Sequence, residues 1–596
     1  MIINPTIKNV TDRITKRSET TRSDYLEKMN GARKEGPRRA HLTCGNQAHA
    51  YAPVPEDQKR LIDEAGGNIG IINAYNDMLS AHQPFQKYPE IIKKAARLVG
   101  GTAQVAAGVP AMCDGITQGQ TGMELSLFSR DAIAMSAAIG LSHNVFDTTV
   151  YLGVCDKIVP GMIISAATFG HLPAVFLPAG PMTTGQSNDE KAKIRQDFAE
   201  GKANRSDLMA SEMSSYHGPG TCTFYGTANT NQMLMEFMGL HLPGSSFVNP
   251  NTPLRDALTD FGAKHALSIS DLNSNYIPVS KILDEKAYVN GIVGLMATGG
   301  STNLLIHLIA MARASGIIID WSDFAEISKV IPLLAKVYPN GLADVNHFHA
   351  AGGLGLVITE LLGANLLHSD TQTIMGTGLE AYTKEPKIIN GELGWHSGVS
   401  SSLNSKIIST TSEPFQETGG LADLNGNLGS AVMKVSAVEK SRRKITAPVR
   451  VFNDQQSVID AFRAGEFTND VIIAVRYQGP RANGMPELHN LTPSMSVLQS
   501  RGLKVALITD GRMSGASGKV PAAIHMSHEA LDEGPIAYLQ NGDIVTVDAI
   551  NGSINVENIK VFDRKVNHPD LSNNSFGVGR ELFDIFRNNA GPAKAG

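Results

Sequence analysis

Apolar runs along this chain alternate with glycine-rich polar loops and helical stretches, in a unit that recurs with different content. In DTTVYLGVCDKIVPGMIISAATFGHLPAVFLPAG the pattern predicts a strand at Thr148–Val154, a loop, a helix begun at Pro160-Gly161 and a strand at Ala174–Pro178. Proline is tolerated at a helix start because the first N–H groups have no intrahelical partner. NGIVGLMATGGSTNLLIHLIAMARASGIIID repeats the logic, with Gly316 ending a helix ahead of a strand at Ile317–Ile319. Near-continuous apolar strands between helices predict an α/β fold whose N-terminal part is a doubly wound, mainly parallel sheet.

Around Gly378–Gly398 the texture turns polar and turn-rich, which marks a domain boundary. Beyond it strands dominate and Asn-Gly pairs recur at Asn425-Gly426, Asn541-Gly542 and Asn551-Gly552. Asn-Gly supplies the positive φ angles of two-residue hairpins, so IVTVDAINGSINV is expected to be one. The expected plan is an N-terminal helical arm over 1–60, an α/β domain over 61–379 and a β-rich, barrel-like domain over 380–596. The arm is rich in charge and reads as a subunit contact.

A length of 596 residues fits two or three domains. Lys+Arg 52 against Asp+Glu 57 leaves a net charge of −5, which argues against a nucleic-acid partner. Four cysteines exclude a disulfide scaffold and point to a reducing compartment. The charged N-terminus lacks the apolar stretch of a signal peptide, and no apolar run reaches the ~18 residues of a membrane span. A cytoplasmic protein with no membrane partner is expected.

Three segments gather acidic residues, thiols and glycines. PAMCDGITQGQTGMELSLFSRD sets Cys113 beside Asp114, and GVCDKIVPG sets Cys155, Asp156 and Lys157 at a strand end. HGPGTCTFYGTANTNQMLMEFM places Cys222 just before a helix whose N–H groups favour thiolate. A single cysteine is more often a small buried hydrophobe, but a core fits poorly around the charges beside Cys113 and Cys155. No CxxC pair exists, so zinc is weakly supported; a cluster on three dispersed cysteines with one open iron fits better. Asp114, Asp156 and Glu487 are oxygen donors of the kind Mg²⁺ or Mn²⁺ takes. Glu487 is alternatively a helix N-terminal carboxylate, and Lys157 a salt-bridging lysine unless its amine is modified to an anion.

Two more loops carry polar groups. KVALITDGRMSGASGK holds Asp510, Arg512, Ser514 and Lys519, and MATGGSTNLL holds Ser301, Thr302 and Asn303. Both read as anion-binding nests, and neither has the GxxxxGK[ST] spacing of a nucleotide loop.

CDGITQGQTGMELSLFSRD, GVCDKIVPG, GTCTFYGTANTNQ, ATGGSTN, GPRANGMPE and TDGRMSGASGK, in this order from about Asn73 to Val547, resemble the dihydroxy-acid and sugar-acid dehydratase family. LTCGNQAHA, NAYNDMLSAHQPF and YQGPRANGMPELH resemble its branch for phosphorylated sugar acids. The resemblance implies dehydration of 6-phosphogluconate to its 2-keto-3-deoxy acid, the Entner–Doudoroff step, by C2 proton abstraction and loss of the C3 hydroxyl. It also implies an iron–sulfur cluster, [4Fe–4S] rather than [2Fe–2S], with Cys155 and Cys222 on the best-matched ligand positions. A Mg²⁺ site is implied at Asp114, Asp156, Glu487 and a carbamylated Lys157, with Ser514 as base and a homodimer as the assembly. Where the dihydroxy-acid branch has a third cysteine this chain has Ala81, so Cys113 is the expected replacement and Cys44 its rival. Gln478 stands where that branch has glutamate. Candidates for the substrate's phosphate are Arg481, Arg512 and Lys519. The alternatives are a dehydratase of another sugar acid or dihydroxy acid, a Mg²⁺-dependent phosphohydrolase with inert cysteines, and a non-catalytic sugar-acid binding protein.

Overall fold

The structure, a computed structural model, describes residues 2–34, 38–62, 66–515 and 517–596. Four short apolar strands, β1 (Asn68–Asn73), β2 (Thr102–Gly108), β3 (Thr148–Leu152) and β4 (Ala174–Phe176), form a parallel sheet in the order β2-β1-β3-β4. β3 is buried at every position, as a strand covered on both faces requires. Helices α2 (Ser126–Leu141) and α3 (Ile158–Thr168) pack on the sheet, and α3 starts two residues ahead of Pro160.

The second part is a closed barrel of β5 (Leu421–Gly426), β6 (Gly429–Lys434), β7 (Lys444–Phe452), β8 (Val471–Val475), β9 (Val505–Thr509), β10 (Ala522–Ser527), β11 (Ile544–Asp548) and β12 (Ser553–Val556). Its order is β6-β10-β9-β8-β7-β11-β12-β5. β7, β8, β9 and β10 run parallel, joined through helices over Gln455–Arg463 and Leu491–Ser500, while β11 and β12 form the Asn551-Gly552 hairpin. Leu424, Met433, Ile472 and Ile508 belong to the barrel's own apolar interior, and closure removes every free sheet edge.

Three local expectations change. Ile317–Ile319 is not a strand. The sheet ends at β4, and the Ile318 N–H donates to Ser18 Oγ at 2.9 Å on the helix α1 (Pro5–Lys34). The Asn425-Gly426 turn moves two residues on, because Gly426 pairs with Gly429 across the hairpin. Asn427 is held there by β12, donating to the Val556 carbonyl and accepting from its N–H, both at 2.8 Å. Finally, α1 is no free arm. Ile7, Val10 and Ile14 are fully buried in the chain's own core, and Arg22 donates to the carbonyls of Ser280 and Ser315.

The hairpin over 384–397 also faces back, with Trp395 donating to the Pro243 carbonyl and its ring 4.8 Å from that of Phe261. No helix among the described residues is long and apolar enough to cross a membrane.

Candidate active site

In open α/β sheets ligands bind beyond the carboxyl ends of parallel strands, and here two sets of such ends meet. The loop after β2 carries Cys113 and Asp114, and the loop after β3 carries Cys155, Asp156 and Lys157. From the barrel, the segment after β8 brings Glu487, and the loop after β9 brings Arg512 and Ser514. Helix α4 (Thr227–Phe237) follows Cys222, and α5 (Glu285–Thr298) leads through Ser301 into α6 (Asn303–Ala314).

At the centre, oxygens of Asp114, Asp156 and Glu487 all lie within 4.8 Å of one another. The fully buried Lys157 donates to Asp114, with Asp156 3.6 Å away. Arg512, 1% exposed, spans the group: it donates to Glu487 Oε1 at 2.6 Å, Asp114 Oδ2 at 3.2 Å and the Met485 carbonyl at 2.8 Å. Ser126 donates to Asp114, Gln118 to Glu487 at 2.8 Å and Asn303 to Glu487 at 3.2 Å.

Burial opposes charge on all three carboxyls, and the neighbours decide the outcome differently for each. Asp114 is held well below the usual carboxylate range because the charges of Lys157 and Arg512 outweigh burial. Burial raises Asp156 in spite of Lys157, and pushes Glu487 up to about 7 in spite of Arg512. Three acids against two cations leave one formal negative charge in a closed space. The side chains that hold Glu487 also present unused lone pairs: Gln118 Oε1 and Asn303 Oδ1 are buried with no hydrogen-bond partner among the described residues. A hard cation matches both features, so the donor set fits Mg²⁺.

Cys113, Cys155 and Cys222 come together. The charges of Cys113 and Cys222 each raise the Cys155 thiol, and that of Cys113 raises Cys222. Cys44 lies apart and exposed, at the start of the helix Cys44–Tyr51. Cys155 adopts a positive φ of 78°, uncommon for a residue with a side chain and frequent at functional sites. Asn231 on α4 holds that turn, donating to the carbonyls of Cys155 at 3.1 Å and Asp156 at 3.0 Å. Asn229 does the same for Cys222 at 2.6 Å. The helix-favoured thiolate expected at Cys222 is not found: α4 starts five residues later, and burial pushes the thiol up to about 12. Three adjacent thiols with raised pKa values await a cationic group that would take them as thiolates, so they fit an iron–sulfur cluster.

Ser514 lines a small cavity of about 20 Å³ together with Thr302, Lys434, Thr492 and Ser517. Gly515 lets its loop reach this place, since a Cβ there would lie 2.6 Å from Thr227 N and Ser301 Oγ. The Ser301 and Thr227 hydroxyls are 2.8 Å apart, and Asn303 also donates to the Met513 carbonyl. The three phosphate candidates separate. Arg512 is engaged among the carboxylates, Arg481 is exposed and bonded to Asp532, and Lys519 is exposed with its ammonium 5.6 Å over the Tyr338 ring.

Sequence reasoning missed Gln118, Ser126, Asn229, Asn231 and Lys434. The first four lie inside quoted motifs, in CDGITQGQTGMELSLFSRD and GTCTFYGTANTNQ; Lys434 ends an ordinary strand and carries no signal.

Models of the dihydroxy-acid/6-phosphogluconate dehydratase N-terminal and C-terminal regions match residues 67–382 and 406–596. A phosphogluconate dehydratase of Rhizobium meliloti is 59% identical, covering 99% of this chain and 98% of that protein. One from Escherichia coli K12 is 54% identical over 100% of this chain and 99% of its own length. A dihydroxy-acid dehydratase of Acetivibrio thermocellus is 35% identical over 82% of this chain and 86% of its own. With both halves matched in order around one convergent set of thiols and carboxylates, the chain belongs to the dihydroxy-acid/6-phosphogluconate dehydratase family.

Proposed function

We propose that this chain dehydrates 6-phosphogluconate to 2-keto-3-deoxy-6-phosphogluconate, the hydro-lyase step of the Entner–Doudoroff pathway. The observation that carries this is the meeting of three thiols and three carboxylates at the strand ends of both parts of the fold. Phosphogluconate dehydratases that match over nearly the whole chain support the choice of substrate. Cys113, Cys155 and Cys222 would hold a [4Fe–4S] cluster, and Asp114, Asp156, Glu487 and Lys157 as its carbamate would hold Mg²⁺ or Mn²⁺. When bound, these groups supply Lewis acidity toward a carboxylate and hydroxyls of a sugar acid.

The chain's own residues do the rest. Removing a proton from C2 is difficult because negative charge develops beside an existing carboxylate, and Ser514 is the base that takes it. The C3 hydroxyl then leaves, and the resulting enol tautomerises to the keto acid. Arg512 and Asn303 fix Glu487, while Asn229 and Asn231 fix the cysteine loops, so the site is rigid before substrate arrives. Ser301, Thr302 and Asn303 line the substrate's approach, and exposed Lys519 is left for its phosphate. The protein works in the cytoplasm as a homodimer; the exposed Val105, Met135 and Ile139 beside edge strand β2 supply an apolar face for the second subunit.

The test is keto-acid formation from 6-phosphogluconate by anaerobically purified protein. Phosphate release without keto acid would favour a phosphohydrolase instead, and equal turnover of gluconate would remove the phosphate site. Ser514→Ala is expected to abolish turnover while bound iron stays unchanged.

A further inference from the structure

Lys434 ends β6 inside the barrel wall, 7% exposed, and its Nζ has no hydrogen-bond partner among the described residues. An unpartnered ammonium in such a place is among the most costly groups a fold can bury. Its tail lies against the loop of Ser514, since a Cβ on Gly518 would meet Lys434 Cδ at 3.3 Å. Lys434 and Ser514 line one cavity of about 20 Å³, space for a single water and too little for a carboxylate or phosphate. Among the residues lining that cavity Lys434 is the one titratable side chain.

We propose that Lys434 is the proton acceptor for Ser514, drawing off the hydroxyl proton through the one water that their shared cavity can hold. This rests on the reading of Ser514 as the base. It answers a difficulty in that reading, because a serine hydroxyl is a weak base until its own proton has somewhere to go. Lys434 acts through Ser514 without touching substrate and is therefore a positioning residue.

The step balances. The Ser514 O–H bond breaks and an N–H bond forms on Lys434, giving alkoxide and ammonium. The alkoxide takes the C2 proton, restoring the hydroxyl. The C2–H electron pair becomes the C2–C3 double bond as the C3–O bond breaks, and the departing hydroxide takes the Ser514 hydroxyl proton, which Lys434 replaces through the same water. Water leaves and the amine is neutral again.

Burial, the sole cause, pushes the Lys434 amine down to about 7, where it exchanges protons at working pH. The adjoining elements carry His489, whose Nδ1 is 3.3 Å from Ser517 Oγ and which burial pushes down to about 4, His525 on β10, pushed down to about 3, Asp423 on β5, which burial raises, and exposed Lys519 in the Ser514 loop.

The experiment compares Lys434→Arg, Lys434→Met, Lys434→Ala and Ser514→Ala in the metal-loaded enzyme, by keto-acid assay and pH profile. Arginine keeps the charge but cannot become neutral, so Lys434→Arg and Lys434→Met should both lose about 10²–10⁴-fold in kcat with KM nearly unchanged. The rise of wild-type kcat with pH near 7 should vanish in both, and methylamine should restore part of the Lys434→Ala rate. Wild-type kcat in Lys434→Arg would overturn the proposal, since a fixed charge would then suffice. If Lys434→Met melts early, Lys434→Arg and the amine rescue still decide. An inactive Ser514→Ala beside active Lys434 variants sinks the proposal alone; an active Ser514→Ala sinks the reading beneath it.

Discussion

Two lysines are buried in this molecule under opposite conditions. Lys157, at the end of the sheet, has Asp114 bonded to its ammonium and Asp156 3.6 Å away. Lys434, in the wall of the barrel, has no ion pair and no hydrogen-bond partner among the described residues. The first is packed against opposite charge, whereas burial alone pushes the second amine down to about 7. The same side chain thus sits among carboxylates in one region and, in the proposal above, serves the other as a proton acceptor.

The strongest way to break the contrast is to remove the acid from the first lysine. Asp114→Asn leaves Lys157 and Arg512 buried without their shared carboxylate, and is expected to cost about 3–5 kcal/mol in urea unfolding and to abolish turnover. Stability within error of wild type would mean that the charges there do not depend on one another. Next, Arg512→Lys keeps the charge but cannot span Glu487, Asp114 and the Met485 carbonyl; kcat/KM should fall about 100-fold, roughly 2.7 kcal/mol.

The Lys434 side is sharpened by pH. Its folded pKa of about 7 lies below the ~10.4 of an unfolded lysine, so between these values the unfolded chain binds more protons. Stability therefore rises with pH across that window, by up to about 1.4 kcal/mol per unit, and is lost as pH falls through 10 toward 7. The difference in unfolding free energy between wild type and Lys434→Met should carry this slope; a flat difference would mean an amine charged like any other. The smallest effect is expected at the exposed thiol. Cys44→Ser should leave stability within about 0.5 kcal/mol of wild type and bound iron unchanged, whereas Cys113→Ser should lose iron.

The alternation of apolar strands and helices was legible because burial on both faces leaves no room for charged residues in β3 or β9. The hairpin at Asn551-Gly552 was legible from its turn residues, although its loop runs over four residues, 549–552, and positive φ falls on Gly552 and not on Asn551. Ile317–Ile319 misled because an apolar β-branched run is equally suited to lying under a helix, and which occurs depends on α1, almost 300 residues away in sequence. Asp114, Asp156 and Glu487 could be nominated by type, since each sits in a polar loop among glycines. Their neighbours Ser126, Gln118 and Asn231 could not, because common polar residues announce nothing until a fold aims them.

Four cysteines, three acids in glycine-containing loops, and a parallel sheet followed by a barrel were determined by the sequence alone, through composition, burial pattern and turn chemistry. Which three thiols meet, that Arg512 ties the acids together, and that Lys434 shares a cavity with Ser514 and has no hydrogen-bond partner among the described residues were decided only by tertiary structure. The physical reason is distance. Periodicity and turns act over a few residues, whereas desolvation and ion pairing depend on side chains far apart in the chain, 398 residues in the case of Asp114 and Arg512.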